Sequence, residues 1–169
     1  MKGPQCMIGY SNNEEANKVT FDGEGWMRTG DIGYYDEEGF VYIVDRIKEL
    51  IKVKGLQVTT KATNKRVSNL LLKVAPAELE DVLRSLAGVA DVAVIGVDHE
   101  RLGEAPRAYI VRRDDELTDE KVEEFMKKQV SDHKQLAGGI EFVETIPKSA
   151  AGKILRKDIK QKYLDSMKL

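Results

Sequence analysis

The chain has 169 residues, 41% of them apolar and 33% charged, which is enough for one core with a small appended piece and argues against disorder throughout. Its formal net charge of -2, with lysines interspersed among acids, supplies no basic field for a nucleic-acid partner. Cys6 is the only cysteine, so an internal disulfide and a cysteine zinc cluster are excluded, and His99 and His133 alone make a multi-histidine metal site improbable.

No apolar run reaches the roughly 18 residues of a membrane span, because Asp91 interrupts the longest one. Met1-Lys2-Gly3-Pro4-Gln5 lacks an apolar signal core and reads like the middle of a protein. Residues 1–24 are polar and turn-rich, with Asn12-Asn13-Glu14-Glu15 and Asp22-Gly23 as punctuation. Short strands follow. Asp36-Glu37-Glu38-Gly39 separates Ile32–Tyr35 from Phe40–Val44, a hairpin pattern, and a second strand pair, Val41–Val44 with Leu50–Val53, brackets Asp45–Glu49.

A helix is expected over 76–86: Pro76 suits the first turn, Glu78 and Glu80 suit the N-terminal end of the dipole, and Leu79, Val82, Leu83 and Leu86 share one face. Gly88 ends it. Val89–Val97 reads as a buried strand and Arg107–Arg112 as another. Thr118 is a candidate N-cap for a helix with the apolar stripe Val122, Phe125, Met126 and Val130. A strand at Ile140–Val143 and a helix near Lys157–Ser166 complete a small α+β domain, helices packed on a short sheet. Thr59–Val74, basic and then apolar, fits none of these patterns.

Three clusters carry chemistry. In Gly25-Trp26-Met27-Arg28-Thr29-Gly30-Asp31, the glycines allow a tight path that presents a carboxylate at a loop end. Asp31 there can accept both hydrogen bonds of a ribose diol, and it equally suits a turn cap or a pair with Arg28. From Asp45 to Gln57 the sequence alternates, and Lys48, Lys52 and Lys54 fall on one side if the ribbon stays extended. That face suits phosphates, and equally a solvated strand. In Ile146-Pro147-Lys148-Ser149-Ala150-Ala151-Gly152-Lys153, small residues before Gly-Lys make a flexible loop. Its ammonium can neutralise charge developing between a carboxylate and an α-phosphate. A Walker loop is not matched, since its first glycine and the Ser/Thr after the lysine are absent.

Taken in order, these clusters resemble the acyl-adenylate-forming superfamily of acyl-CoA synthetases, 4-coumarate:CoA ligases and beetle luciferases. The resemblance runs from Lys2-Gly3-Pro4-Gln5 and Gly9-Tyr10, through Ala75-Pro76-Ala77-Glu78-Leu79-Glu80, Gly103-Glu104-Ala105-Pro106 and Gly138-Gly139, to Arg156. It implies that residues 1–44 are the β-rich tail of a large AMP-binding domain, that Asp45 is the hinge, and that the small C-terminal lid domain occupies 45–169. Asp31 and Arg46 would then bind the nucleotide, with Lys48 and Lys52 near the adenylate. Lys54 and Gly55 would meet CoA, Gln57 would lie near the acyl-adenylate, and Lys153 would be the catalytic lysine of adenylation.

ATP with magnesium and CoA are the implied substrates, with neither held tightly by this chain, and no resident metal is expected. The phosphate loop, adenine site and acyl pocket belong upstream in the family. The chain is therefore expected to be an inactive fragment without a large-domain partner. Two other readings are a non-catalytic binding domain with the lid fold and a piece of a luciferase-like oxidase. Thr59–Val74 is expected to be an insertion that protrudes and is poorly ordered; with valines at both 58 and 74, either can be counted as its edge. The terminal Met167-Lys168-Leu169 shares two residues with the S-K-L peroxisomal address, leaving a cytoplasmic or peroxisomal location.

Overall fold

The computed structural model describes residues 1–53 and 73–168. The chain divides into two compact units, Met1–Lys48 and Glu49–Leu169.

In the first unit, Asn13 caps a short helix, α1 (Glu14–Thr20), its side chain accepting from the Ala16 N–H at 3.0 Å. Asn12-Asn13-Glu14-Glu15, expected as turn punctuation, is thus a helix start with two acids in the first turn. Strands β1 (Asp31–Tyr35) and β2 (Val41–Arg46) form the expected antiparallel hairpin. Asp36 closes its turn, accepting from the Phe40 N–H and the Tyr42 hydroxyl, each at 2.9 Å.

The register slips between Ile32 and Gly33, leaving Val44 as an extra residue on β2. Gly33 permits this, since a Cβ there would collide with the Tyr42 carbonyl oxygen. Continued without the bulge, the Tyr35↔Val41 register would set Asp31 opposite Asp45, two like charges. With it, Asp31 faces Arg46.

The second unit is built on a sheet in the order β5-β6-β7, from β5 (Val89–His99), β6 (Gly103–Arg112) and β7 (Ile140–Phe142); β5 and β6 are antiparallel and β6 and β7 parallel. Both faces of β5 are covered, which is why its sequence is an almost continuous apolar run. Val92 and Val94 join a core with Leu79 and Leu83 of helix α2 (Pro76–Arg84) and Val122 and Met126 of helix α3 (Asp119–Gln129). Ala93, Ile95 and Val97 point the other way, into a core with Ile146 and with Ile159 of helix α4 (Arg156–Ser166). Pro76 stands in the first turn of α2 and Thr118 caps α3, accepting from the Lys121 N–H, as the sequence predicts.

The second strand pair differs from expectation. The chain turns at residues 47–49, and β3 (Ile51–Lys52) pairs with β4 (Lys73–Val74) instead of with Val41–Val44, while Val53 bridges to Gly103. Hydrophobicity decides this, because Leu50, Ile51 and Val53 are buried in the second unit whereas Val41–Val44 are exposed. The same turn interrupts the extended ribbon on which Lys48 and Lys52 would share a side. Residues 54–72 lie outside the described residues, and with them Lys54, Gly55, Gln57 and most of Thr59–Val74. The last two residues of that stretch are β-paired, and Val74 is fully buried.

The two units differ in core. No residue of Met1–Lys48 is buried, and Tyr35, Phe40, Val41 and Ile43 are all at least 60% exposed. The contrast predicts that Met126→Ala shifts the urea midpoint by the equivalent of about 2–5 kcal/mol. Phe40→Ser should change it by less than about 0.5 kcal/mol in the same measurement.

Candidate functional site

In the first unit the bulged hairpin brings Asp31 and Arg46 together: Arg46 Nε lies 3.4 Å from Asp31 Oδ1. The Asp31 side chain is 27% exposed and that of Arg46 67%, so both retain unused hydrogen-bonding capacity toward solvent. Arg28, the other candidate partner, donates to the Val19 carbonyl at 3.3 Å. The Asp31 N–H donates to Thr29 Oγ1 at 3.2 Å, which fixes the loop that delivers the carboxylate. Asp45 lies opposite Ile32, and its Oδ1 accepts from the Arg46 N–H at 2.7 Å. Lys48 is exposed at the end of this unit.

In the second unit, Lys52 is exposed, and its backbone N–H donates to Glu104 Oε2 at 2.8 Å. Lys153 is also exposed, but the loop that carries it is not the flexible element its small residues predict. Lys148 and Ile154 form an antiparallel bridge. The Ser149 N–H donates to the Lys153 carbonyl at 2.8 Å, Leu155 to Pro147 at 2.9 Å and Gly152 to Ser149 at 2.8 Å. The Lys153 N–H donates to Ser149 Oγ at 3.2 Å. Gly152, at φ 76°, makes the reversal possible without strain. The small residues thus close a tight loop, and the freedom left to Lys153 is that of its own stem.

A cluster at the base of this loop escaped the sequence reading. Glu80 is 2% exposed, the one charged residue buried among the described residues. Its Oε1 accepts from the Val94 N–H at 2.9 Å, and Arg156 Nη2 lies 2.8 Å from both its oxygens. Arg156 Nε donates to the Val94 carbonyl at 3.3 Å, and its Nη1 stands 3.7 Å from Glu49 Oε2. Glu80 follows the apolar Leu79 in a helix whose first turn favours acids, and nothing local distinguishes a buried acid there from a solvated one. At the other strand of the loop, Lys148 Nζ pairs with Asp91 at 2.6 Å.

Burial holds the Glu80 carboxyl above its ordinary 4.5, opposed by the Val94 N–H and the Arg156 and Arg84 guanidiniums. No group of three or more His, Cys, Asp or Glu side chains is placed to hold a metal ion among the described residues. None of the described helices is long and apolar enough to cross a membrane.

Residues 78–153 match the AMP-binding enzyme C-terminal domain family. Over 160 residues the chain is 45% identical to the peroxisomal OPC-8:0-CoA ligase 1 of Arabidopsis thaliana, covering 94% of this chain and 26% of that protein. It is 43% identical over 162 residues to the luciferin 4-monooxygenase of Luciola mingrelica, covering 95% and 27%. Among solved structures, ATP-bound MatB from Rhodopseudomonas palustris matches with a TM-score of 0.81 and 29% identity over 96% of this chain and 29% of that one. The o-succinylbenzoate CoA synthetase MenE from Bacillus subtilis, in complex with its acyl-adenylate, matches with a TM-score of 0.74 and 33% identity over 94% and 29%. The chain spans about a quarter of the length of the curated relatives it matches.

Removing Arg156 strands a buried carboxylate, so Arg156→Ala should cost about 3 kcal/mol in urea denaturation. A carboxyl with a raised folded pKa contributes stability below its unfolded pKa and loses it as pH rises through the folded one. The urea midpoint of Glu80→Gln should therefore improve relative to the unsubstituted chain as pH rises from about 4 to 7. The opposite trend would show that pairing outweighs burial.

Proposed function

From the match of residues 78–153 to the AMP-binding enzyme C-terminal domain family we propose that this chain is the C-terminal part of an ATP-dependent acyl-CoA ligase. Such an enzyme joins a carboxylic acid to CoA in two steps. The carboxylate attacks the α-phosphorus of ATP and pyrophosphate leaves. The CoA thiol then attacks the acyl carbon of the adenylate and AMP leaves.

The observation that carries this reading is the tied loop presenting Lys153 as an exposed ammonium on a fixed base. A cation positioned before charge develops stabilises the transition state without reorganisation, which is the demand of the first step. Asp31 is assigned to the ribose hydroxyls, and Arg46 orients that carboxylate and contacts the same nucleotide. Lys48 and Lys52 are assigned to the vicinity of the adenylate, Lys54 and Gly55 to CoA, Gln57 to the acyl-adenylate, and Asp45 to the hinge. ATP is taken to enter with magnesium.

A preceding large domain would supply the phosphate loop and the acyl pocket. Support comes from Met1–Lys48, where Tyr34 and Tyr35 of β1 and the apolar side chains of β2 are exposed and no residue is buried. A unit of that size has too little core to stand alone. We place the enzyme in the cytoplasm or the peroxisome, the latter on the name of the Arabidopsis relative.

The test joins this chain, in one polypeptide, to the preceding part of the Arabidopsis ligase. The chain alone should release no pyrophosphate from ATP and a carboxylic acid, and the hybrid should release it. Lys153→Ala in the hybrid should slow adenylation about 10²–10³-fold. Thioester formation from preformed acyl-adenylate should then stay within about threefold. Equal losses in both half-reactions would overturn the lysine's role.

A further inference from the structure

We propose that the Glu80–Arg156 pair is the positioning device of the Lys153 loop, locking its base to α2 and β5 so that the ammonium is delivered from one fixed point. This inference rests on the assignment of Lys153 to the adenylation step.

The geometry argues for it in three ways. Arg156 is only three residues beyond Lys153, and it reaches both Glu80 oxygens, the Val94 carbonyl and Glu49, so its planar guanidinium is held from several directions. A lysine ammonium could reach the carboxylate but could not reproduce that fork.

Second, Arg156 is the first residue of α4, where the helix dipole disfavours a cation. A buried carboxylate already desolvated on α2 compensates for that placement, whereas an ordinary helix start would carry an acid or a hydroxyl. A residue that breaks a local rule and is compensated by a distant partner marks a functional constraint.

Third, the hydrogen bonds that close the loop run within it. Its internal hydrogen bonds fix its shape but not its orientation on the domain. Orientation comes from Ile146 and Ile154 on the α4-side core, the Lys148–Asp91 pair at one strand and the Arg156 pair at the other. Of the two ion pairs, only that of Arg156 contains a buried group. The Lys148 and Asp91 side chains are 38% and 28% exposed, so water weakens their pair.

The first arm of the test uses the 169-residue chain and amide hydrogen exchange. In Arg156→Lys the Ser149, Gly152 and Leu155 N–H groups should exchange about tenfold faster, with the Val122 and Val130 amides of the α3 region unchanged. Glu80→Gln keeps an acceptor for the Val94 N–H but loses the charge, and it should give a smaller acceleration of the same three amides. Unchanged loop amides, or equal acceleration in α3, would overturn the proposal, the second by reducing the pair to general stability.

The second arm uses the hybrid enzyme. Arg156→Lys should lower kcat for adenylation about tenfold while the KM for ATP stays within about twofold. Added to Lys153→Ala it should have no further effect on adenylation, because the device would have nothing left to position. An additive loss, or a change confined to KM, would overturn the proposal. The two readings fail separately. If Lys153→Ala leaves adenylation intact, the lysine assignment falls; if Lys153→Ala is slow and Arg156→Lys is not, only the positioning device falls.

Discussion

A carboxylate that is 2% exposed constrains everything packed around it, because a charge removed from water must find its hydrogen bonds inside the fold. Glu80 finds them on two elements far apart in sequence, the Val94 amide of β5 and the Arg156 guanidinium at the start of α4, while the Arg84 guanidinium one turn along its own helix stands 3.6 Å away. Arg156 in turn reaches Glu49, where the second unit begins. Apolar burial supplies most of the favourable free energy of this core, but apolar contacts are non-directional. The carboxylate and its partners set the order in which helix, strand and loop end must meet.

The first unit solves a different problem. It has no core, and much of its order comes from side chains answering backbone groups, Asn13 on the start of α1, Asp36 on the hairpin turn and Lys2 on the Glu24 carbonyl. The bulge at Gly33 exchanges a like-charge juxtaposition for the Asp31–Arg46 pair. Exposed pairs of this kind contribute little to stability, on the order of 0–1 kcal/mol. The bulge is better understood as aiming a carboxylate and a guanidinium at the same place, which suits the nucleotide role proposed for them.

What could be read in the sequence was what local physics determines. The α2 stripe of Leu79 and Leu83, the Thr118 cap, the β5 run and the β1–β2 hairpin all follow from spacing and turn chemistry within a dozen residues, and all are present. Two of the differences involve a partner far along the chain. Ile51 was drawn to Val74 and away from β2 by burial that only the folded second unit provides. Glu80 looked like a dipole-compensating acid because its partner lies 76 positions away. The α1 helix was missed for a different reason: Asn13 and two glutamates are a sound start signal, but seven residues are too few to show a period. Residue type and order mark candidate site residues in the sequence but not the groups that support them.

The loop at Lys153 shows why the supports matter. Glycine, alanine and serine in sequence suggest mobility, and each of them serves closure here: Gly152 supplies the reversed φ, Ser149 contributes its amide, carbonyl and hydroxyl, and Ala150 and Ala151 place no bulk in the turn. A lysine stem has enough rotamer freedom to sample a wide volume, and a mobile base would multiply that volume further. Fixing the base confines the search to the stem, and the entropy of ordering the loop is met once, on folding, instead of at every turnover. The groups assigned to the reaction are divided between the two units, Asp31, Asp45, Arg46 and Lys48 in one and Lys52 and Lys153 in the other. On the proposed function, a domain that must serve two successive half-reactions has to keep its own groups in register whatever its partner surface is. An internal clamp such as Glu80–Arg156 does that within the second unit and asks nothing of the first.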